Sequence, residues 1–123
     1  VVGAGKIGQA ISSYPKFIDR GFKIVAVFDN DPNIIGKKVA NHKVRPVADM
    51  TRIIPLRKIQ LAILAVPLDV SQEIADRLIA SGITGILNFS PLRLIVPDGV
   101  GVSSVDFSRS LEQLAFETSI DFA

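Results

Sequence analysis

Val1-Val2-Gly3-Ala4-Gly5-Lys6-Ile7-Gly8-Gln9-Ala10 decides the fold. Its three glycines are spaced G-x-G-x-x-G, between an apolar stub and a stretch that reads as a helix. In a strand–turn–helix the first glycine permits the tight turn. The second lets a diphosphate approach the backbone, and the third lets the helix pack close to the strand. The free N–H groups and the positive dipole end at the helix start then face the phosphates. Glycine-rich turns are common, so the triplet gains its weight from Asp29. This residue ends the next apolar run, 21 residues beyond Gly8, where an acid that binds a ribose diol belongs.

Working outward, the pattern alternates. Val1-Val2 is the tail of a first strand, and residues 6–13 form a helix with Ile7, Ala10 and Ile11 on its inner face. The run from Phe22 to Phe28 reads as a buried strand, and Asp29-Asn30-Asp31-Pro32-Asn33 as a turn. Val44 to Val47 is a short strand whose Pro46 points to a sheet edge. Ala48 to Ile54 is a weak helix that Pro55 ends or distorts. Leu61 to Val66 is continuously apolar, as in a parallel sheet covered on both faces, and Pro67 stops it. Val70, Ile74, Leu78 and Ile79 follow at helical spacing, and Gly82 closes that helix. Gly85 to Phe89 and Val100 to Val105 are further strands, and residues 108–118 form a terminal helix with Leu111, Leu114 and Ala115 on one face. The expected fold is α/β: a Rossmann-like open parallel sheet with helices on both faces.

Composition narrows the function. A length of 123 residues and a hydrophobic share of 48% support one compact domain spanning 1–123. No apolar run reaches the roughly 18–20 residues of a membrane-spanning helix, so no membrane partner is expected. The absence of cysteine removes disulfides and thiolate metal sites and fits a reducing cytoplasm. A net charge of +2 with dispersed Lys and Arg gives this domain no basic stripe for nucleic acid. The chain opens on only a stub of a strand, and the expectation is a fragment of a longer protein.

In an open α/β sheet, ligands bind beyond the carboxyl ends of the strands, at the switch in strand order. The residues there are the glycine turn, Asp29, Ala65-Val66-Pro67 and Asn88-Phe89-Ser90-Pro91. Asp29 either accepts bonds from an adenosine ribose or caps its own turn. Its charge would repel a 2′-phosphate, and Asn30 supplies no cation, which favours NAD(H) over NADP(H). Pro67 and Pro91 either terminate strands or line a cleft for the nicotinamide half. Asn88 is an amide contact or a turn residue. Tyr14 is the only tyrosine and His42 the only histidine. Neither has a partner suited to acid–base or metal work. The sequence carries a cofactor site without a catalytic set, so no enzyme activity is expected.

These residues carry a resemblance. The chain resembles the cofactor-binding domain of the Rex family of bacterial redox-sensing repressors. The likeness rests on Val2-Gly3-Ala4-Gly5-Lys6-Ile7-Gly8, Tyr14-Pro15, Phe28-Asp29-Asn30-Asp31-Pro32, Ala62-Ile63-Leu64-Ala65-Val66-Pro67, Gly85-Ile86-Leu87-Asn88-Phe89-Ser90-Pro91 and Val105-Asp106-Phe107. The resemblance implies a homodimer that senses the NADH/NAD⁺ ratio and releases operator DNA when NADH binds. It implies an N-terminal winged-helix domain outside this chain, and a C-terminal dimerisation helix over 107–123 that swaps between subunits. Carried over, Gly3, Gly5, Lys6, Ile7 and Gly8 hold the diphosphate and Asp29 the ribose. Ala65, Val66, Pro67, Asn88, Phe89 and Pro91 border the nicotinamide side. Phe107 reaches the partner's nicotinamide, and Asp106 and Tyr14 form a switch contact across the dimer. The family often has threonine where this chain has Ala65. Phe116 and Ile120 lie off the main apolar face of the last helix, either as frayed surface residues or as a dimer seam. Two rival readings use the same fold: the nucleotide domain of an NAD-dependent oxidoreductase, and a CoA-binding module.

Overall fold

A computed structural model of the chain describes residues 1–118, apart from the side chains of Phe107 and Ser108. In chain order the elements are α1 (Lys6–Ser12), α2 (Lys16–Asp19), β1 (Phe28–Asp29), β2 (Lys38–Val39), β3 (His42–Lys43), β4 (Arg45–Pro46), α3 (Met50–Leu56), β5 (Leu61–Leu64), α4 (Leu68–Ala80), β6 (Gly85–Asn88), β7 (Gly101–Ser104) and α5 (Phe107–Glu117).

The sheet is parallel throughout its main body. β1 pairs with β4, β5 with β6, and β6 with β7. Val2 joins the two halves by bridging Phe28 on one side and Leu64 on the other. The spatial order is therefore β4, β1, Val2, β5, β6, β7. From Val2 the chain crosses first to one side and later to the other, so the switch in strand order lies directly above the glycine turn.

Side-chain alternation divides the core. Val2, Phe28, Leu64 and Ile86 point to one face and pack with Met50, Ile53 and Ile54 of α3 and Ile74, Ala75 and Leu78 of α4. Val27 points to the other face, with Ala4, Val39 and Val44. That period of two is what a twice-covered strand requires. Full burial of a residue such as Leu64 contributes about 1.5–3 kcal/mol. The terminal-helix and α4 readings hold with small shifts of boundary, and Gly82 follows α4 at φ +112°.

Four local expectations are corrected. The run 22–28 forms ladder pairs only at its end, where Phe28 lies between Arg45 of β4 and Val2 and Asp29 pairs with Pro46. Phe22 is exposed and its N–H donates to the Phe17 carbonyl instead. The inner face of α1 is Gly8 and Ser12, while Ile7 and Ala10 are exposed. Contact at Gly8, not apolar spacing, sets that face. The expected strand 44–47 shrinks to Arg45–Pro46, at the sheet edge, and is preceded by an unforeseen hairpin of β2 and β3. Ala40 and Asn41 at its tip both have positive φ, the geometry of a two-residue primed turn. Finally, Pro55 lies inside the last turn of α3 rather than after it.

A wide apolar groove of about 690 Å³ opens at the amino ends of the strands, between Ile24–Ala26 and Leu61–Ile63. The Val1 nitrogen lies in it, donating to the Ala26 carbonyl at 3.0 Å. The groove is at the opposite end of the sheet from the glycine turn.

Candidate functional site

The turn is built by close contact. Gly3 has φ +99°, and a Cβ there would run into the Ala65 carbonyl. A Cβ on Gly8 would run into the carbonyl of Gly3. Neither position accepts a side chain without moving backbone. Gly5 is different: a Cβ there would meet nothing, and its backbone is extended at φ −74°, ψ −162°. The space above Gly5 is open, and Gly5, Lys6 and Ile7 are exposed around it.

Two side chains hold the peptide between the first two glycines. Asp29 Oδ2 accepts the Ala4 N–H at 2.7 Å, and Gln9 Nε2 donates to the Ala4 carbonyl at 2.8 Å. Ala4 itself is fully buried. Asp29 Oδ1 also accepts the Asp31 N–H at 2.9 Å. Asp29 therefore caps its own turn, as one of its two readings has it, and also braces the glycine turn, and it is half-buried. Gln9 was not singled out from sequence. Only the return of its side chain over the turn marks it, and a glutamine on a surface helix gives no signal of that.

Beside Asp29 lies a cavity of about 170 Å³ lined by Val2, Asn30, Val47, Val66, Pro67, Val70 and neighbours on α4. Asn30 Oδ1 accepts the Val47 N–H at 3.2 Å and so fixes one wall. Ala65 backs the turn from behind Gly3. The structure thus brings Gly3, Gly5, Gly8, Asp29, Ala65, Val66 and Pro67 together at the carboxyl ends of the strands.

The loop after β6 forms the next stretch of that edge. Asn88 and Ser90 are buried, Phe89 is half-buried and Pro91 is exposed. Of the switch residues, Asp106 lies at this same end of the sheet, next to Val105, whose N–H donates to the Asn88 carbonyl at 2.9 Å, while Tyr14 follows α1. Tyr14 is half-exposed, its ring edge-on to Phe17 with centroids 5.1 Å apart. Asp106 caps α5, its Oδ1 accepting the Arg109 N–H at 3.1 Å. The side chain of Phe107, and Ile120 with the rest of 119–123, lie outside the described residues. Among the described residues no group of three or more His, Asp or Glu side chains is arranged to hold a metal ion. No described helix is long and apolar enough to cross a membrane.

Residues 1–92 match the family model described as "CoA binding domain". The redox-sensing transcriptional repressor Rex of Desulforamulus reducens is 42% identical over 120 residues, 98% of this chain and 57% of that protein. The chain belongs to the CoA-binding-domain family, in its Rex branch. The Rex of Carboxydothermus hydrogenoformans is 45% identical over 98% of this chain and 58% of its own length. The chain thus spans about half the length of the curated Rex proteins it matches. Among solved structures, the Rex-family repressor RSP in complex with NAD⁺ and operator DNA matches with a TM-score of 0.92 at 38% identity, over 96% of this chain and 54% of that one. RSP in complex with NADH matches with a TM-score of 0.90 over 96% of this chain and 57% of that one. The Rossmann-like fold read from the sequence is borne out by these neighbours.

Proposed function

We propose that this chain is the NAD(H)-sensing domain of a Rex-type transcriptional repressor that acts on DNA in the bacterial cytoplasm. The observation that carries this is the likeness to RSP, a repressor solved with NAD⁺ and operator DNA, at 38% identity over 96% of the chain. The site supports it. A diphosphate lies over Gly5, against the amides of residues 5–8, and the ribose hydroxyls donate to the carboxylate of Asp29. The small cavity beside Asp29 takes the adenine. The nicotinamide half runs towards Val66-Pro67 and the Phe89–Pro91 loop.

Redox discrimination follows from charge. The reduced ring is neutral and the oxidised ring cationic, and burying an unpaired charge costs free energy. A pocket of apolar walls therefore favours NADH. That difference in affinity biases a dimer between a DNA-binding and a DNA-free state. The dimer forms through α5, on which Leu111, Leu114 and Phe116 are exposed, 86% in the case of Phe116. Ile7, Tyr14 and Ile18 offer a second exposed apolar surface. In this reading α5 swaps between subunits, Phe107 reaches the partner's coenzyme and Tyr14 meets the partner's Asp106. DNA contact belongs to an N-terminal winged-helix domain of the whole protein. The coenzyme is read rather than consumed.

A second reading has one observation behind it: the family model takes its description from CoA. CoA has a diphosphate and an adenosine but no second nucleoside, so it would leave the Phe89–Pro91 side empty. Titration of the purified protein with NADH, NAD⁺, NADPH and CoA separates the readings. NADH binding tightest supports redox sensing. CoA binding tightest overturns it.

A further inference from the structure

Asn88 presents nothing to a ligand, because its side chain is engaged wholly inside the protein. It is fully buried. Its Oδ1 accepts the Ser90 N–H at 2.9 Å, and its Nδ2 donates to the Leu92 carbonyl at 2.8 Å. Ser90, also buried, accepts the Leu92 N–H on its Oγ at 3.3 Å. The main chain beneath is held on both sides: the Asn88 carbonyl accepts from Val105 and the Phe89 N–H donates to Leu64, each at 2.9 Å. One amide therefore ties the loop 89–92 back onto the last residue of β6. The side-chain oxygen reaching the N–H two residues on is an Asx turn.

Asparagine suits this place chemically. The Ser90 N–H needs an acceptor and the Leu92 carbonyl needs a donor, and a single amide supplies both in one plane. Aspartate lacks the donor, and an aliphatic side chain lacks both. A buried N–H or carbonyl left unpaired is costly enough to shift the loop.

We propose that Asn88 is a positioning residue for the nicotinamide half of the coenzyme, acting only through the placement of Phe89–Pro91. This rests on the coenzyme reading given above, and it replaces direct contact by Asn88 with an indirect role. The adenosine and the diphosphate are recognised elsewhere, at the glycine turn and beside Asp29, and the loop 89–91 meets the coenzyme at its nicotinamide ring. Loss of Asn88 therefore penalises only ligands that carry the nicotinamide ring.

The test compares NADH with ADP-ribose, which lacks only that ring, by calorimetric titration of the wild-type protein and of Asn88→Ala. The expected result is an NADH affinity about tenfold weaker with ADP-ribose binding changed less than about twofold. Ser90→Ala removes only the bond to Leu92 and preserves the fold if Asn88→Ala does not. It is expected to weaken NADH about threefold with ADP-ribose again unchanged. If both ligands weaken in step, the role is general stability and the proposal is overturned. If NADH affinity is unchanged in the folded variants, it is overturned as well. A wild-type protein that binds neither ligand would instead remove the coenzyme reading itself.

Discussion

Asp29 has two tasks in this structure, and replacing it separates them. In Asp29→Ala the fully buried Ala4 N–H loses a charged acceptor held at 2.7 Å. A hydrogen bond to a charged group contributes about 1.5–3 kcal/mol, and the buried donor finds no water in its place. The Asp31 N–H also loses its partner, but on an exposed turn where water substitutes. The ligand-free protein is therefore expected to lose about 2–3 kcal/mol, which lowers Tm by about 8–12 °C for a domain of this size. The second task appears only with coenzyme. Losing two ribose acceptors weakens NADH by about a hundredfold, at about 1.4 kcal/mol for each bond. Asp29→Asn keeps one oxygen and falls between wild type and Asp29→Ala in both respects. Urea denaturation of the three ligand-free proteins reads the first effect, and NADH titration reads the second. Ligand-free stability of Asp29→Ala within about 0.5 kcal/mol of wild type would refute the bracing of the turn. Unchanged NADH affinity in a folded Asp29→Ala would refute the ribose role.

Two other outcomes are expected. Gly5→Ala meets no atom and keeps an allowed backbone, so Tm stays near wild type while NADH binding is lost; a variant that binds normally contradicts the placement of the diphosphate. Tyr14→Phe leaves NADH affinity intact but blunts NADH-driven release of operator DNA from the whole protein, measured by fluorescence anisotropy; an unchanged release curve removes Tyr14 from the switch.

Much of the site was legible because each of its residues answers a local physical demand. Gly3 and Gly8 are glycine because backbone occupies the space of a side chain, and Asp29 ends a strand whose register delivers it to the turn. The strand Leu61–Leu64 announced itself by its continuous apolar run, although Leu61 is exposed rather than covered, and the α4 stripe by its helical spacing. What failed depended on contacts that spacing does not encode. The inner face of α1 follows Gly8 and Ser12, since close approach at Gly8 outranks the apolar Ile7 and Ala10. The run 22–28 has strand composition, yet ladder pairing needs a neighbour, and Val2 and β4 meet it only at Phe28 and Asp29. The β2–β3 hairpin is two residues long on each side and rich in lysine, too short and too polar for a period of two to emerge. Asn88 stood equally as ligand contact or turn residue, and only its two internal hydrogen bonds tell which groups it satisfies.

The central claim is that the crevice above the glycine turn distinguishes reduced from oxidised dinucleotide. The most direct measurement is a pair of dissociation constants for NADH and NAD⁺ on the same protein, NADH by direct titration and NAD⁺ by competition. The account predicts NADH tighter by tenfold or more, at about 1.4 kcal/mol per factor of ten, with the coenzyme recovered unchanged. Equal affinities for the two redox forms would contradict it.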